Sequence, residues 1–337
     1  MFSIPDRENV RLNPVAASCK REASAETVLY IGKVIVYARG LLLRCRSRKA
    51  LRFLVEAIIH PVHYAEWFDY LESGLPKGMR SDTVGHLIEH TARRYLRRWF
   101  RYPEKMGILR CHYDMLGARF PLRALELLGK YPGVVVAELS GKTGRRYQIT
   151  LQQSMLKEGE LAFRFFDVQE GTALATFRGT FGPGTDGRKV FWIGAVQGPY
   201  SLPGREAMGR EAIAIATRDL DILRPKHAVL HALVACCTWM KVDTIYAPPH
   251  ENHVGYHWWR PLLTQHKILN DYEGFWKEFT AERTPRGDAC ISLPLTRRKL
   301  AEVQSKRRRD WLRRYARVDA LTESVAASLD ALERIEK

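Results

Sequence analysis

Apolar positions recur at helical spacing through the first third of the chain and at alternating spacing through its middle. Between Thr27 and about Phe100 the interval is three to four residues. Leu51, Leu54, Val55, Ile58 and Ile59 make one such stripe, which predicts a helix. His60-Pro61 is expected to end it, because the residue before a proline is pushed out of the α region. A second helix is predicted over Asp82–Phe100, capped by Ser81 or Asp82, with Arg93, Arg94, Arg97 and Arg98 on a charged face.

After Arg119 the period shortens to two. Val134–Ser140, Arg146–Ser154, Glu160–Val168, Ala173–Phe181 and Lys189–Gly198 read as strands, separated by turns rich in Gly, Asp and Lys such as Gly182–Gly187. Short strands with tight turns predict an antiparallel meander. A helix through Glu211–Leu220, an apolar helix from Arg224 to Met240 and a strand over Asp243–Ala247 follow, with a late strand at Cys290–Leu295. From Thr296 the pattern is helical and basic, ending in a stripe of Leu321, Val325, Leu329 and Leu332. The predicted organisation is a flexible N-terminus (1–26), a helical region (27–118), a mixed α/β core (119–296) and basic C-terminal helices (297–337). The fold class is α+β, with an N-terminal helical region, a mixed, largely antiparallel sheet and a basic C-terminal helix. GNAT-type N-acyltransferases use the same element order. In them a central strand and its successor splay apart around an acyl thioester, so the layout is read as GNAT-like by analogy.

Composition adds a preference for anions. The 337 residues carry a formal net charge of +17, with 46% hydrophobic and 27% charged positions, which favours nucleic acid, a phosphorylated cofactor or an acidic membrane surface as partner. Ten of the cations, against three acids, lie within Arg297–Asp319. Six cysteines lack Cys-x-x-Cys spacing and read as reduced thiols, which points to a cytoplasmic setting, peripheral to the inner membrane if membrane-bound. No apolar core follows a basic start in Met1–Ser24, so no secretory signal is expected. Val28–Leu43 is too short and too charged to span a bilayer but has amphipathic character.

Candidate chemistry concentrates after the fifth strand. Gln197-Gly198 is a fragment of a phosphate loop. Arg224 and Lys226 bracket a proline at a helix start, where two cations oppose the helix dipole unless an anion is bound there. Gln197, Gly198, Arg224 and Lys226 are therefore the candidates for holding acyl-CoA or another phosphorylated donor. Glu206, His250, His253 and Asp271 are candidate acid/base groups. His86/His90, His227/His231 and His253/His257 each have i,i+4 spacing, but His227 and His231 flank core positions, and none of the three pairs carries the Glu of a zinc protease motif, so no metal is assigned. Glu158-Gly159-Glu160 reads as a turn with solvated acids. Lys306, Arg307, Arg308, Arg313 and Arg314 are candidate contacts to an anionic small molecule, acidic lipid or nucleic acid, on a helix whose Trp311, Leu312 and Tyr315 form an apolar stripe.

These stretches together resemble the VirK/YbjX family of bacterial proteins: Glu158-Gly-Glu-Leu161, Ile193-Gly-Ala-Val-Gln-Gly-Pro199, Arg224-Pro-Lys226, Asp271-Tyr-Glu-Gly-Phe-Trp276 and Lys306–Tyr315 occur in the family's order over about Arg48 to Leu329. Thr217-Arg218 and Asp221-Ile222 depart from the Thr-Lys and His-Gly expected there. The resemblance implies a domain of unknown biochemical activity, associated with virulence, envelope integrity and resistance to cationic antimicrobial peptides. It transfers no catalytic residue. Two functions compete: an acyl- or aminoacyl-transferase-type enzyme with a phosphorylated donor, and a non-enzymatic factor bound to an anionic surface through the C-terminal helix.

Overall fold

The computed structural model describes residues 14–43, 47–76, 81–199, 206–255, 272–279 and 282–335. The chain divides into two compact units, Met1–Asp69 and Tyr70–Lys337.

The first unit is helical: α1 (Pro14–Leu43), α2 (Ser47–Ile59) and α3 (Pro61–Asp69). Pro61 begins α3 directly after α2, so the predicted break at His60-Pro61 is present, with proline in its favourable first-turn position. The unit's core is aromatic. Phe53, Tyr64, Trp67 and Phe68 are fully buried, and Tyr37 stacks on Phe68 at 4.9 Å. Tyr30 Oη donates to the Ala57 carbonyl at 2.6 Å, tying α1 to α2. The face that α2 buries is Ala50, Phe53 and Ala57, whereas Leu51, Val55, Ile58 and Ile59 point outward. The apolar stripe read from the sequence is a helical face, but not the one this unit buries.

The second unit is built on one eight-stranded sheet, in the order β1-β2-β3-β4-β5-β6-β8-β7. Before it come α4 (Ser81–Thr91), α5 (Tyr102–Arg119) and α6 (Leu122–Leu128). Strands β1 (Val134–Ser140), β2 (Arg146–Leu156), β3 (Gly159–Asp167), β4 (Thr172–Pro183) and β5 (Lys189–Gln197) form the predicted antiparallel meander. Next come α7 (Glu206–Asp219), α8 (Pro225–Trp239), β6 (Thr244–Ala247), α9 (Tyr272–Lys277), β7 (Glu282–Arg283), β8 (Ala289–Ser292) and α10 (Arg308–Glu333). β6 pairs parallel to β5 and every other neighbour is antiparallel, so the architecture is α+β with a mixed sheet. One apolar core joins α5, α6, α8 and α10 to the sheet. Ile149, Leu151, Phe163, Phe165 and Phe177 lie at its centre, and Leu321, Val325, Leu329 and Leu332 of α10 are buried against it.

One predicted element is corrected. The helix expected over Asp82–Phe100 stops at Thr91. Beyond it the chain runs irregularly, and Arg97, read as part of a charged helix face, is fully buried.

Candidate functional site

The parallel pairing of β5 with β6 is short. Phe191 faces Ile245, Trp192 faces Tyr246, and the register then ends although β5 runs on to Gln197. On the other edge of β5 the register slips. Against β4, Arg178 faces Ala195 and Gly179 faces Ile193, which leaves Gly194 as the extra residue of a bulge. A bulge bends its strand and flips the alternation of side chains. Ile193 and Val196 therefore both lie in the core, three residues apart. Only glycine fits, because a Cβ at position 194 would come within 1.9 Å of the Glu158 carbonyl. β5–β6 pairing thus ends at Trp192 and Tyr246, two residues before the bulge at Gly194.

Opening a sheet strands carbonyls that a ladder would satisfy. Arg97 takes up two of them: Nη1 donates to the Ile193 carbonyl at 2.7 Å and Nη2 to the Tyr246 carbonyl at 3.3 Å. Its Nε donates to Asp288 Oδ1 at 2.6 Å, and the guanidinium lies 5.2 Å from the Trp192 ring. Burial raises the Asp288 pKa, and Arg97 beside it works the other way. The arginine fork suits this place because one planar group reaches two strands and a carboxylate together.

A second buried cluster lies near the start of β3. Glu160 is fully buried, not solvated as its turn position suggested. Tyr113 Oη donates to Glu160 Oε2 at 2.7 Å, and His90 Nε2 is 3.0 Å from Oε1. Arg93 bonds His90 Nδ1 from the other side at 2.8 Å, so His90 is neutral and its Nε2–H faces the carboxylate. Burial lowers the His90 pKa; burial also pushes Glu160 up, but His90, His112 and Tyr113 outweigh this and hold it ionised, below the usual carboxylate range.

The open end carries cations on both faces of the sheet. Toward the core, α8 begins beside α9 and α10. Arg224, the residue before α8, lies 3.7 Å from Glu278. His227 is stacked on Phe275, faces Glu278 at 3.1 Å and receives Arg314 Nη2 on Nδ1 at 3.2 Å. Burial, then Arg314 and Arg224, lowers its pKa to about 3, so it is a neutral packed histidine, as its core-flanking position suggested. Arg314 is half-buried over Trp311 and lines a cavity of about 740 Å³ between α8, α10 and the 294–298 segment, with Trp239, Phe279 and Val318 among its apolar walls. On the opposite face, Arg178 donates to Gln197 and Arg164 to Gln152. Arg164 makes no ion pair among the described residues. Burial, then the neighbouring Arg178, lowers its pKa.

The sequence-selected residues are therefore distributed as follows. Arg224 and Arg314 converge on His227 and Glu278, with Lys226 in the first turn of α8. Gln197 ends β5 on the face away from Val196, and Gly198 follows it. His250 opens a short 3₁₀ turn, His250–Asn252, and His253 is buried with its pKa lowered to about 4, by burial first and then by Arg97. Glu206 is the first residue of α7, its side chain outside the described residues; Asp271 and His257 also lie outside them. Lys306, Arg307 and Arg313 are exposed, and Arg308 caps the Leu300 and Val303 carbonyls at 3.1 Å each. Sequence reasoning missed Arg97, Asp288 and Glu160 in these roles. The signal available was their neighbourhood: Arg97 is flanked by Tyr95, Leu96, Trp99 and Phe100, and Glu160 opens a strand buried on both faces.

Fold and site define an α+β protein whose mixed sheet carries a bulge on a central strand beside a buried arginine–aspartate pair. Residues 44–327 match the family described as "Protein of unknown function (DUF535)", and the chain belongs to that family, the VirK/YbjX family of unknown function. It is 29% identical over 316 residues to the "Uncharacterized protein YbjX" of Escherichia coli (strain K12), an alignment covering 90% of this chain and 91% of that protein. No solved structure matches. Among the described residues no helix is long and apolar enough to cross a membrane.

Proposed function

We propose that the protein is an acyl- or aminoacyl-transferase-type enzyme that takes a phosphorylated donor, of the CoA-thioester kind, at the opened end of β5 and β6. The observation that carries the reading is the end of β5–β6 pairing at Trp192 and Tyr246, just before the Gly194 bulge. Parallel strands that part after a few residues, with a helix running back between them, are the GNAT-like arrangement in which a thioester arm lies in the gap. Ligands in α/β sheets favour such strand ends. The cations support an anionic donor: Arg224, Lys226 and Arg314 gather on the α8 side, Arg164 and Arg178 on the other. Free N–H groups at the start of α8 would add to them. Catalysis would rest mainly on positioning, with His250 or Glu206 contributing an acid/base factor of about 10²–10⁴.

Thermal unfolding in the presence of acetyl-CoA, a long-chain acyl-CoA and ATP tests this. A donor at a hundred times its Kd adds about 2.7 kcal/mol, a shift of several degrees. Arg224→Ala and Arg164→Ala should each reduce the shift. No stabilisation by any donor at millimolar concentration counts against the reading.

A second reading rests on the exposure of Lys306, Arg307, Arg308 and Arg313, which suits a non-enzymatic factor held on an anionic surface. It predicts nucleic-acid or acidic-lipid binding that collapses with salt and with Lys306→Ala, Arg307→Ala and Arg313→Ala combined. Binding that survives both changes removes it.

A further inference from the structure

The helical unit leaves much of its aliphatic surface exposed. Among the described residues, twelve large apolar side chains in Val28–Val62 are exposed, against six in the whole of the much longer second unit. Val28 is 70% exposed, Leu43 75% and Ile58 75%. They are not scattered. On α2 the buried side is Ala50, Phe53 and Ala57, and Leu51, Val55, Ile58 and Ile59 recur at i, i+4, i+7 and i+8 on the outer side. On α1 the inner residues are Val34, Ala38 and Leu41, and Val28, Ile31, Ile35 and Leu42 share an outer face. Exposed apolar faces of this kind on two packed helices mark an interaction site.

The charge on the same segment indicates what covers it. Thr27–Ile59 holds seven Lys or Arg residues against one acid, Glu56. Lys33 is bound to Asp69 at 2.9 Å and Arg52 lies 3.9 Å from Glu56, whereas Arg39 and Arg48 are exposed. An apolar face that carries arginines among its aliphatic positions needs a surface that is apolar at depth and anionic at its rim. A protein partner would have to supply both; a bilayer with acidic headgroups does so by construction. Arginine stems can lie along the apolar layer with their guanidinium groups at the phosphates. Neither helix meets the length and hydropathy needed to span.

We propose that α1 and α2 dock the protein on an anionic lipid bilayer, lying in the plane of the interface with their outer apolar faces inserted. This does not rest on the transferase reading, and it uses a different surface from the C-terminal helix.

The experiment is vesicle flotation of the full-length protein with phosphatidylcholine alone or mixed with phosphatidylglycerol. Flotation is expected with the anionic vesicles and to weaken as salt rises. Val55→Glu combined with Ile58→Glu should reduce binding at least tenfold with the fold intact by circular dichroism, because both side chains are exposed. Arg39→Gln and Arg48→Gln should each reduce it about fivefold. Arg123→Gln, an exposed arginine on α6 of the second unit, should leave it unchanged. The proposal is overturned by absence of flotation or by flotation indifferent to the α2 glutamates. Light scattering that shows an oligomer dissolved by those glutamates, without vesicle binding, also overturns it and assigns the face to a second copy.

Discussion

The two units arrange polarity in opposite ways. Residues 14–69 keep an aromatic core but leave much of their aliphatic surface outside, while the sheet unit places Arg97, Glu160 and Asp288 inside at 1% exposure or less. Each departure has a cost that something must offset: exposed aliphatic surface calls for a covering surface, and buried charge for a partner and a reason. In the sheet unit both are present, since Arg97 satisfies carbonyls that the opened β5–β6 pair cannot. For the helical unit the covering surface we propose is an anionic bilayer.

The largest effects should come from breaking the buried side of this contrast. Arg97→Met leaves Asp288 buried without its cation and two carbonyls unsatisfied, and should cost about 3–5 kcal/mol in urea unfolding. Phe53→Ala, at the core of the helical unit, should cost a similar ~3–5 kcal/mol. Acid should weaken the sheet unit next. Burial holds His112 at a pKa of about 4, against about 6.5 for the unfolded side chain. The unfolded chain takes up a proton that the native state refuses, so this contribution is complete above pH ~6.5 and is lost as pH falls toward 4, amounting to about 3 kcal/mol. His112→Gln should flatten the slope of stability against pH across that window. Gly194→Ala should cost about 1–3 kcal/mol by overpacking against the Glu158 carbonyl, and should lower donor-induced thermal stabilisation more than its stability loss explains. The smallest effect sharpens the contrast most: Ile58→Ala, in the strongest apolar stripe of the sequence, should change stability by no more than about 0.5 kcal/mol.

That last case shows what the sequence conveyed. The period of Leu51, Val55, Ile58 and Ile59 correctly predicted a helix, and the alternation after Arg119 the whole β1–β5 meander with its turns. Periodicity reports that a helix has an apolar face; it does not report what that face meets. Arg97 was hidden for a related reason. Its neighbours Arg93, Arg94 and Arg98 made a plausible charged helix face, and only the arrival of β5, β6 and Asp288, 191 residues later in the chain, makes burial of one of them favourable. The cluster at α8 was more legible, because Arg224-Pro225-Lys226 places two cations at a helix start by local rules alone. Its partners Glu278 and Arg314 come from distant elements that no local pattern joins.

The central claim, that the opened end of the sheet is where a phosphorylated donor binds, is tested most directly by amide hydrogen exchange with and without a CoA thioester. The account predicts ligand-dependent protection in residues 193–199 at the end of β5 and 225–231 at the start of α8. Protection confined to residues 306–314, or no protection anywhere at saturating ligand, contradicts it.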